Sequence, residues 1–215
     1  MTIALGMCCT DGIVIAADSQ ISAIDHHKYF ESKVSYTDGP DWALMFGYAG
    51  DPGIYKEARD KIMRLLPRTG FTPIQAYEAC DKVFSEIGRP YSPFELQMFI
   101  GVSIRLSDPG LIVFTGQGLY WEEGIKFFGV GDSSLMNYLS NVLYGKPISV
   151  EQGQKLAVYM IAKAKKCIDH CGGPTTVCSL LYGGKEWGLL SEAIENLEKE
   201  MESREKTCLK QILDF

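Results

Sequence analysis

Clusters of lysine and arginine are missing from this chain. Its 215 residues hold 21 Lys and Arg against 27 Asp and Glu, a formal net charge of −6, whereas phosphate backbones are bound by gathered cations. A nucleic-acid partner is therefore excluded. An even set of regularly spaced cysteines is also lacking. Seven are present, with Cys8 and Cys9 adjacent and the rest irregular, unlike the framework of a disulfide-held secreted domain. The expected setting is a reducing cytoplasm. Histidine is scarce. His26 and His27 lie in a polar stretch with no cysteine or carboxylate pair at ligand spacing beyond Asp25, and read as solvated loop residues. Cys167, Cys171 and Cys178 with His170 do not have the spacing of zinc knuckles, and adjacent residues such as His170 and Cys171 rarely orient as base and nucleophile. No metal is assigned. The apolar start of the chain carries Asp11, has no basic leader and breaks at Asp18, so it reads neither as a signal peptide nor as a membrane span. Internal repeats, linkers and low-complexity tracts are lacking too.

What the chain does have is apolar material. With 46% hydrophobic residues it can bury a substantial core without disulfides, and one domain over residues 1–215 is expected. Residues 1–9 and 13–18 are β-branched-rich runs around the turn Thr10-Asp11-Gly12, a hairpin pattern. A polar stretch, 19–31, reads as a loop. Runs at 33–36 and 42–46 flank Thr37-Asp38-Gly39-Pro40-Asp41 and give a second hairpin. Helical spacing follows over 54–66, then a helix from Thr72-Pro73 to Gly88 with threonine as N-cap and proline in the first turn. Strand-like runs occupy 96–105, 111–114 and 124–130. Helices are expected over 135–144 and over 149–165, the latter opened by Ser149 with Gln152 in its first turn. Strands at 175–182 and 187–190 precede a charged helix from Ser191 towards Met201. Such a segregated order predicts an α+β fold of antiparallel sheets packed face to face with helices outside.

The chemistry of the chain start is specific. Once Met1 is removed, Thr2 carries a hydroxyl and a free α-amine on one residue, nucleophile and base together. An α-amine with a reference pKa of about 7.7 to 8.0 can take the hydroxyl proton near neutrality. The hairpin brings Asp18 back beside Thr2, because a tight turn sets strand ends opposite each other. Half an active site thus follows from spacing.

Thr2, the hydrophobic hairpin, the end Ala16-Ala17-Asp18-Ser19-Gln20 and Ser32-Lys33-Val34 resemble the proteasome β-subunit family of N-terminal nucleophile hydrolases, including its simpler bacterial relatives. In that family an aspartate follows the threonine by sixteen residues and a lysine follows the aspartate by fifteen or sixteen, the places of Asp18 and Lys33. The resemblance implies a four-layer αββα sandwich. It also implies an oxyanion donor at the glycine turn Gly47-Tyr48-Ala49-Gly50, assigned to Gly50 with Gly47 as the alternative. Phe128-Gly129-Val130-Gly131-Asp132-Ser133 resembles the family's glycine-serine-glycine turn. Here Asp132 stands where the serine aligns, so either Ser133 supports the nucleophile or Asp132 caps the next helix. Asp169-His170-Cys171-Gly172-Gly173 resembles the aspartate-x-x-serine-glycine motif, with Asp169 one residue nearer the glycines and Cys171 in the serine's place. A thiol is the poorer hydrogen-bond donor.

The function implied is a threonine endopeptidase. Thr2 attacks the scissile carbonyl, Lys33 lowers the pKa of the hydroxyl and amine, Asp18 holds Lys33 charged, and Gly50 N–H binds the oxyanion. No cofactor is required. The implied partners are a peptide or unfolded protein substrate, copies of the chain in a ring or spiral, and an ATP-dependent unfoldase. Two other readings use the same residues, an amidase acting on a small amide and a catalytically silent assembly subunit. The assembly expectation draws on the helix with Val158, Tyr159, Met160 and Ile161, apolar around much of its circumference, since such a helix is buried in a core or in an interface between copies.

Overall fold

Alternation and turn chemistry lay down the sheets. A computed structural model describes residues 3–22, 28–87, 95–105, 107–129, 134–144, 147–182 and 186–213. Strands β1 (Ile3–Cys9) and β2 (Gly12–Asp18) form the expected hairpin, with Ala4 opposite Ala17 and Cys9 opposite Gly12. β10 (Ile125–Gly129) adds to β1, and β11 (Thr175–Leu181) with β12 (Glu186–Gly188) adds to β2, all antiparallel. The first sheet therefore has the order β10-β1-β2-β11-β12. A second antiparallel sheet runs β5 (Val34–Asp38), β6 (Trp42–Gly50), β7 (Leu96–Ile104), β8 (Gly110–Phe114) and β9 (Leu119–Glu122). β1 and β2 are buried on both faces, which is why they read as near-continuous apolar runs.

Three layers of apolar contact hold the sandwich. Between the sheets lie Ile13, Ile15, Met45, Phe99, Leu111, Val113 and Phe128, with the Phe99 and Phe128 rings stacked 4.2 Å apart. On the outer face of the second sheet, helices α1 (Pro52–Leu65) and α2 (Pro73–Ile87) bury Tyr55, Ile62, Val83 and Phe84 against Phe46, Met98 and Phe114. α1 is capped by Asp51, whose carboxylate accepts from Gly53 and Ile54 N–H. Thr72 and Gln75 form a reciprocal box at the start of α2. Outside the first sheet, α4 (Val150–Cys167) buries Val158, Met160 and Ile161 against Leu5, Val14 and Val177. With α3 (Ser134–Leu143) and α5 (Ser191–Leu213) on that same side, the architecture is the αββα sandwich of two antiparallel sheets flanked by helices.

Several expectations need correction. Residues 19–31 are not wholly loop, because β3 (Gln20–Ser22) and β4 (Lys28–Phe30) pair as a separate two-stranded ribbon. The strand β9 was hidden in the glycine-rich connection after Phe114. It docks because Trp121 stacks on Tyr77 and the Tyr77 hydroxyl donates to Leu119 O. α5 runs well past Met201. Its later turns are strong helix formers laced by Glu200–Arg204 and Glu202–Lys206 pairs at i,i+4 spacing. The apolar circumference of α4 needs no second copy to explain it, since the first sheet covers one side and Leu197 and Met201 of α5 join the same cluster. His26, His27 and Gly88 lie outside the described residues. Among the described residues no helix is long and apolar enough to cross a membrane.

Candidate functional site

The end of β2 and the start of β5 meet on charge. Asp18 closes β2 and Lys33 immediately precedes β5, and the Lys33 Nζ to Asp18 Oδ1 distance is 2.7 Å with both side chains 0% exposed. Lys33 Nζ also donates to Gln20 O at 2.5 Å. Asp18 Oδ1 accepts from Ile3 N–H at 3.0 Å and Oδ2 from Gly172 N–H at 3.0 Å. Lys33 O in turn accepts from Tyr48 N–H at 3.2 Å. One carboxylate thus joins the first residue of β1, the turn before β11 and the lysine ahead of β5. Burial pulls the Lys33 ammonium pKa below its ordinary value, and Asp18 pushes it back up.

Cys171 lies beside the pair, 9% exposed. Burial first and the Asp18 charge second push its thiol up to about 12, with Lys33 opposing. It is therefore neutral near pH 7 and offers a weak donor where the resembling motif has a hydroxyl.

Thr2, Asp132 and Ser133 fall outside the described residues. Asp169 is exposed in the turn after α4. Gly50 ends β6 at φ +120, and a Cβ there would lie 2.2 Å from Glu95 O. Its identity is accounted for by the backbone alone. Gly47 is buried on β6 opposite Val34, one residue from the Lys33 backbone contact through Tyr48. Sequence reasoning missed Gln20 O and Gly172 N–H as partners of the pair. Both are backbone groups, and the only signal was the Gly172-Gly173 doublet. Among the described residues no three His, Cys, Asp or Glu side chains gather as a metal site.

An αββα sandwich whose first strand begins on a buried aspartate–lysine pair defines the N-terminal nucleophile type of fold. A family profile for the proteasome subunit matches residues 2–178, and the chain belongs to that family. No curated protein matches it in sequence. Among solved structures it is similar to Anbu, described as an ancestral β-subunit, from Yersinia bercovieri, with 14% identity, TM-score 0.78 and 97% of each chain covered. It is also similar to an Anbu (Gly-1) mutant from Hyphomicrobium sp. strain MC1, with 14% identity, TM-score 0.77 and 99% of each chain covered. A third likeness is to the helical assembly of the Anbu complex from Pseudomonas aeruginosa, at 13% identity and TM-score 0.71, covering 97% of this chain and 96% of that one. At these identities the likeness is one of fold.

These neighbours overturn the expectation of a threonine endopeptidase. The likeness runs to the Anbu structures, and the reading as an active threonine protease is withdrawn. Among the described residues Asp18 and Lys33 direct their hydrogen bonds at backbone and at each other, and the thiol beside them is held neutral.

Proposed function

We propose that the chain is a catalytically silent subunit of the proteasome family that assembles with copies of itself in the cytoplasm, acting as one β-subunit-like domain over residues 1–215. The observation that carries this reading is the buried Asp18–Lys33 pair, whose hydrogen bonds among the described residues run to backbone and between the two side chains. A lysine tuned to activate a hydroxyl needs its ammonium turned towards that hydroxyl. Here two of its three donors are taken by Asp18 Oδ1 and Gln20 O, and both oxygens of Asp18 accept backbone N–H groups. The pair ties the start of β1 and the turn before β11, both in the first sheet, to the segment that opens β5 in the second. Asp18 and Lys33 are structural in this reading, and Gly50 is a turn residue.

The printed descriptions of the neighbours, an ancestral β-subunit and a helical assembly, support self-association. Copies of the chain are then its partners, in place of a peptide substrate or an ATP-dependent unfoldase. Sedimentation velocity at micromolar protein should give a mass several times that of the 23.9 kDa chain. A species of single-chain mass would contradict the assembly reading.

A further inference from the structure

The C-terminal helix reaches the buried pair through a chain of contacts. Near the end of α4 stand Lys163, Lys165 and Lys166, and on one face of α5 stand Glu198, Glu202 and Glu205. They pair as Lys165–Glu198 at 2.7 Å, Lys166–Glu202 at 3.2 Å and Lys163–Glu205. Lys166–Glu202 is an exposed pair, of a kind that water screens to a small contribution. The Lys165 pair differs. Its side chains are only 16% and 26% exposed, and Lys165 Nζ also donates to Thr175 Oγ1 at 2.7 Å and Gly173 O at 3.3 Å. The Thr175 hydroxyl closes the triangle on Glu198 Oε1 at 2.7 Å.

Thr175 and Gly173 belong to the corner that serves Asp18. Thr175 is the cross-strand partner of Asp18. Gly172 donates its N–H to Asp18 Oδ2 and accepts from Gln20 N–H on its carbonyl, both at 3.0 Å. Gly173 turns the chain there at φ +75, and a Cβ on it would lie 2.5 Å from Ser19 Oγ. The corner is not self-sufficient: Ser19 Oγ and Gln20 Nε2 are buried beside it without a hydrogen-bond partner among the described residues. Buried polar groups without a partner weigh against the closed corner, and contacts from outside it offset that cost. Lys165 supplies two of them, to Gly173 O and Thr175 Oγ1, and its third donor goes to Glu198 on α5.

We propose that α5 is a strap on the buried ion pair: through Glu198 and Lys165 it holds residues 172–175 where Gly172 N–H reaches Asp18, so that lifting α5 opens the corner and uncovers Cys171. Glu198 and Lys165 are positioning residues in this device, which acts through a contiguous two-state contact rather than through the pair itself.

The test uses the full chain and two internal thiols. Cys171 adjoins the corner, whereas Cys80 lies in the other helical layer, on the buried face of α2; burial pushes both thiols up to about 12, so both alkylate slowly in the closed form. In Glu198→Gln and in Lys165→Met, iodoacetamide labelling followed by peptide mass spectrometry should show Cys171 reacting about tenfold faster, with Cys80 unchanged, as expected of a local opening. Hydrogen exchange should rise at the Gly172 amide in the same variants. Lys165→Arg keeps the charge and should retain the wild-type rate. Equal rises at Cys171 and Cys80, no rise at Cys171, or the same rise in Lys165→Arg would each overturn the strap.

Discussion

Lys33→Met is expected to destabilise the folded chain by about 3–5 kcal/mol, the cost of leaving one buried charge without its partner. Asp18 would remain at 0% exposure with the Ile3 and Gly172 N–H groups as its remaining partners among the described residues. Methionine fills much of the lysine's volume, so the loss reports the charge and not a cavity. Asp18→Asn combined with Lys33→Met removes both charges, and the pair of changes should cost less than the sum of the single ones by at least about 2 kcal/mol. Urea unfolding of the four proteins completes the cycle. Additive losses, or a Lys33→Met penalty below about 1 kcal/mol, would mean that the pair does not pin the three segments it touches.

Gly50→Ala is expected to have the next largest effect. A non-glycine residue at φ +120 carries a strain of about 1–3 kcal/mol, and the added Cβ would meet a backbone oxygen, Glu95 O, at 2.2 Å. Backbone cannot swing aside as a side chain does. Moving Glu95 would also stretch the 2.7 Å bond from Asp51 N–H to Glu95 O, and Asp51 is the cap of α1. The combined penalty should reach about 3 kcal/mol or more. Gly118→Ala is the control, because a Cβ there meets nothing within 4 Å, and it should stay within about 0.5 kcal/mol of wild type. Thermal unfolding of both variants against wild type makes the comparison. Equal midpoints for Gly50→Ala and wild type would return Gly50 to the list of residues kept for chemistry.

Much of the fold was legible because its signals are local. The β1–β2 turn, the threonine cap of α2 and the serine box of α4 are all encoded within a few residues, and each formed as read. The ribbon of β3 and β4 escaped because three-residue strands carry no usable alternation and its connection is rich in Asp and His. The end of α5 escaped because a charged run hides its periodicity, although its i,i+4 pairs were in plain view. For α4 the pattern was read correctly and its meaning was not determined by it: an all-round apolar helix looks the same whether α5 or a second copy covers it.

The site divides in the same way. Asp18 and Lys33 were found by spacing and resemblance, and they do meet. Their other partners are backbone atoms, one of them 154 residues from Asp18, and backbone groups leave no residue-type signature. The role is what residue identities do not carry: a buried carboxylate and ammonium near a strand end can tune a nucleophile or lock that strand end, and both uses need the same side chains.

Peptide hydrolysis by the assembled protein is the most direct measurement. The sample should have its start verified by intact mass, so that Met1 is known to be removed and Thr2 to carry a free amine, and it should be assayed beside Thr2→Ala with unfolded protein and short peptides. A catalytically silent subunit predicts that wild type and Thr2→Ala are indistinguishable from each other and from buffer. Turnover in the wild type that disappears in Thr2→Ala would contradict it.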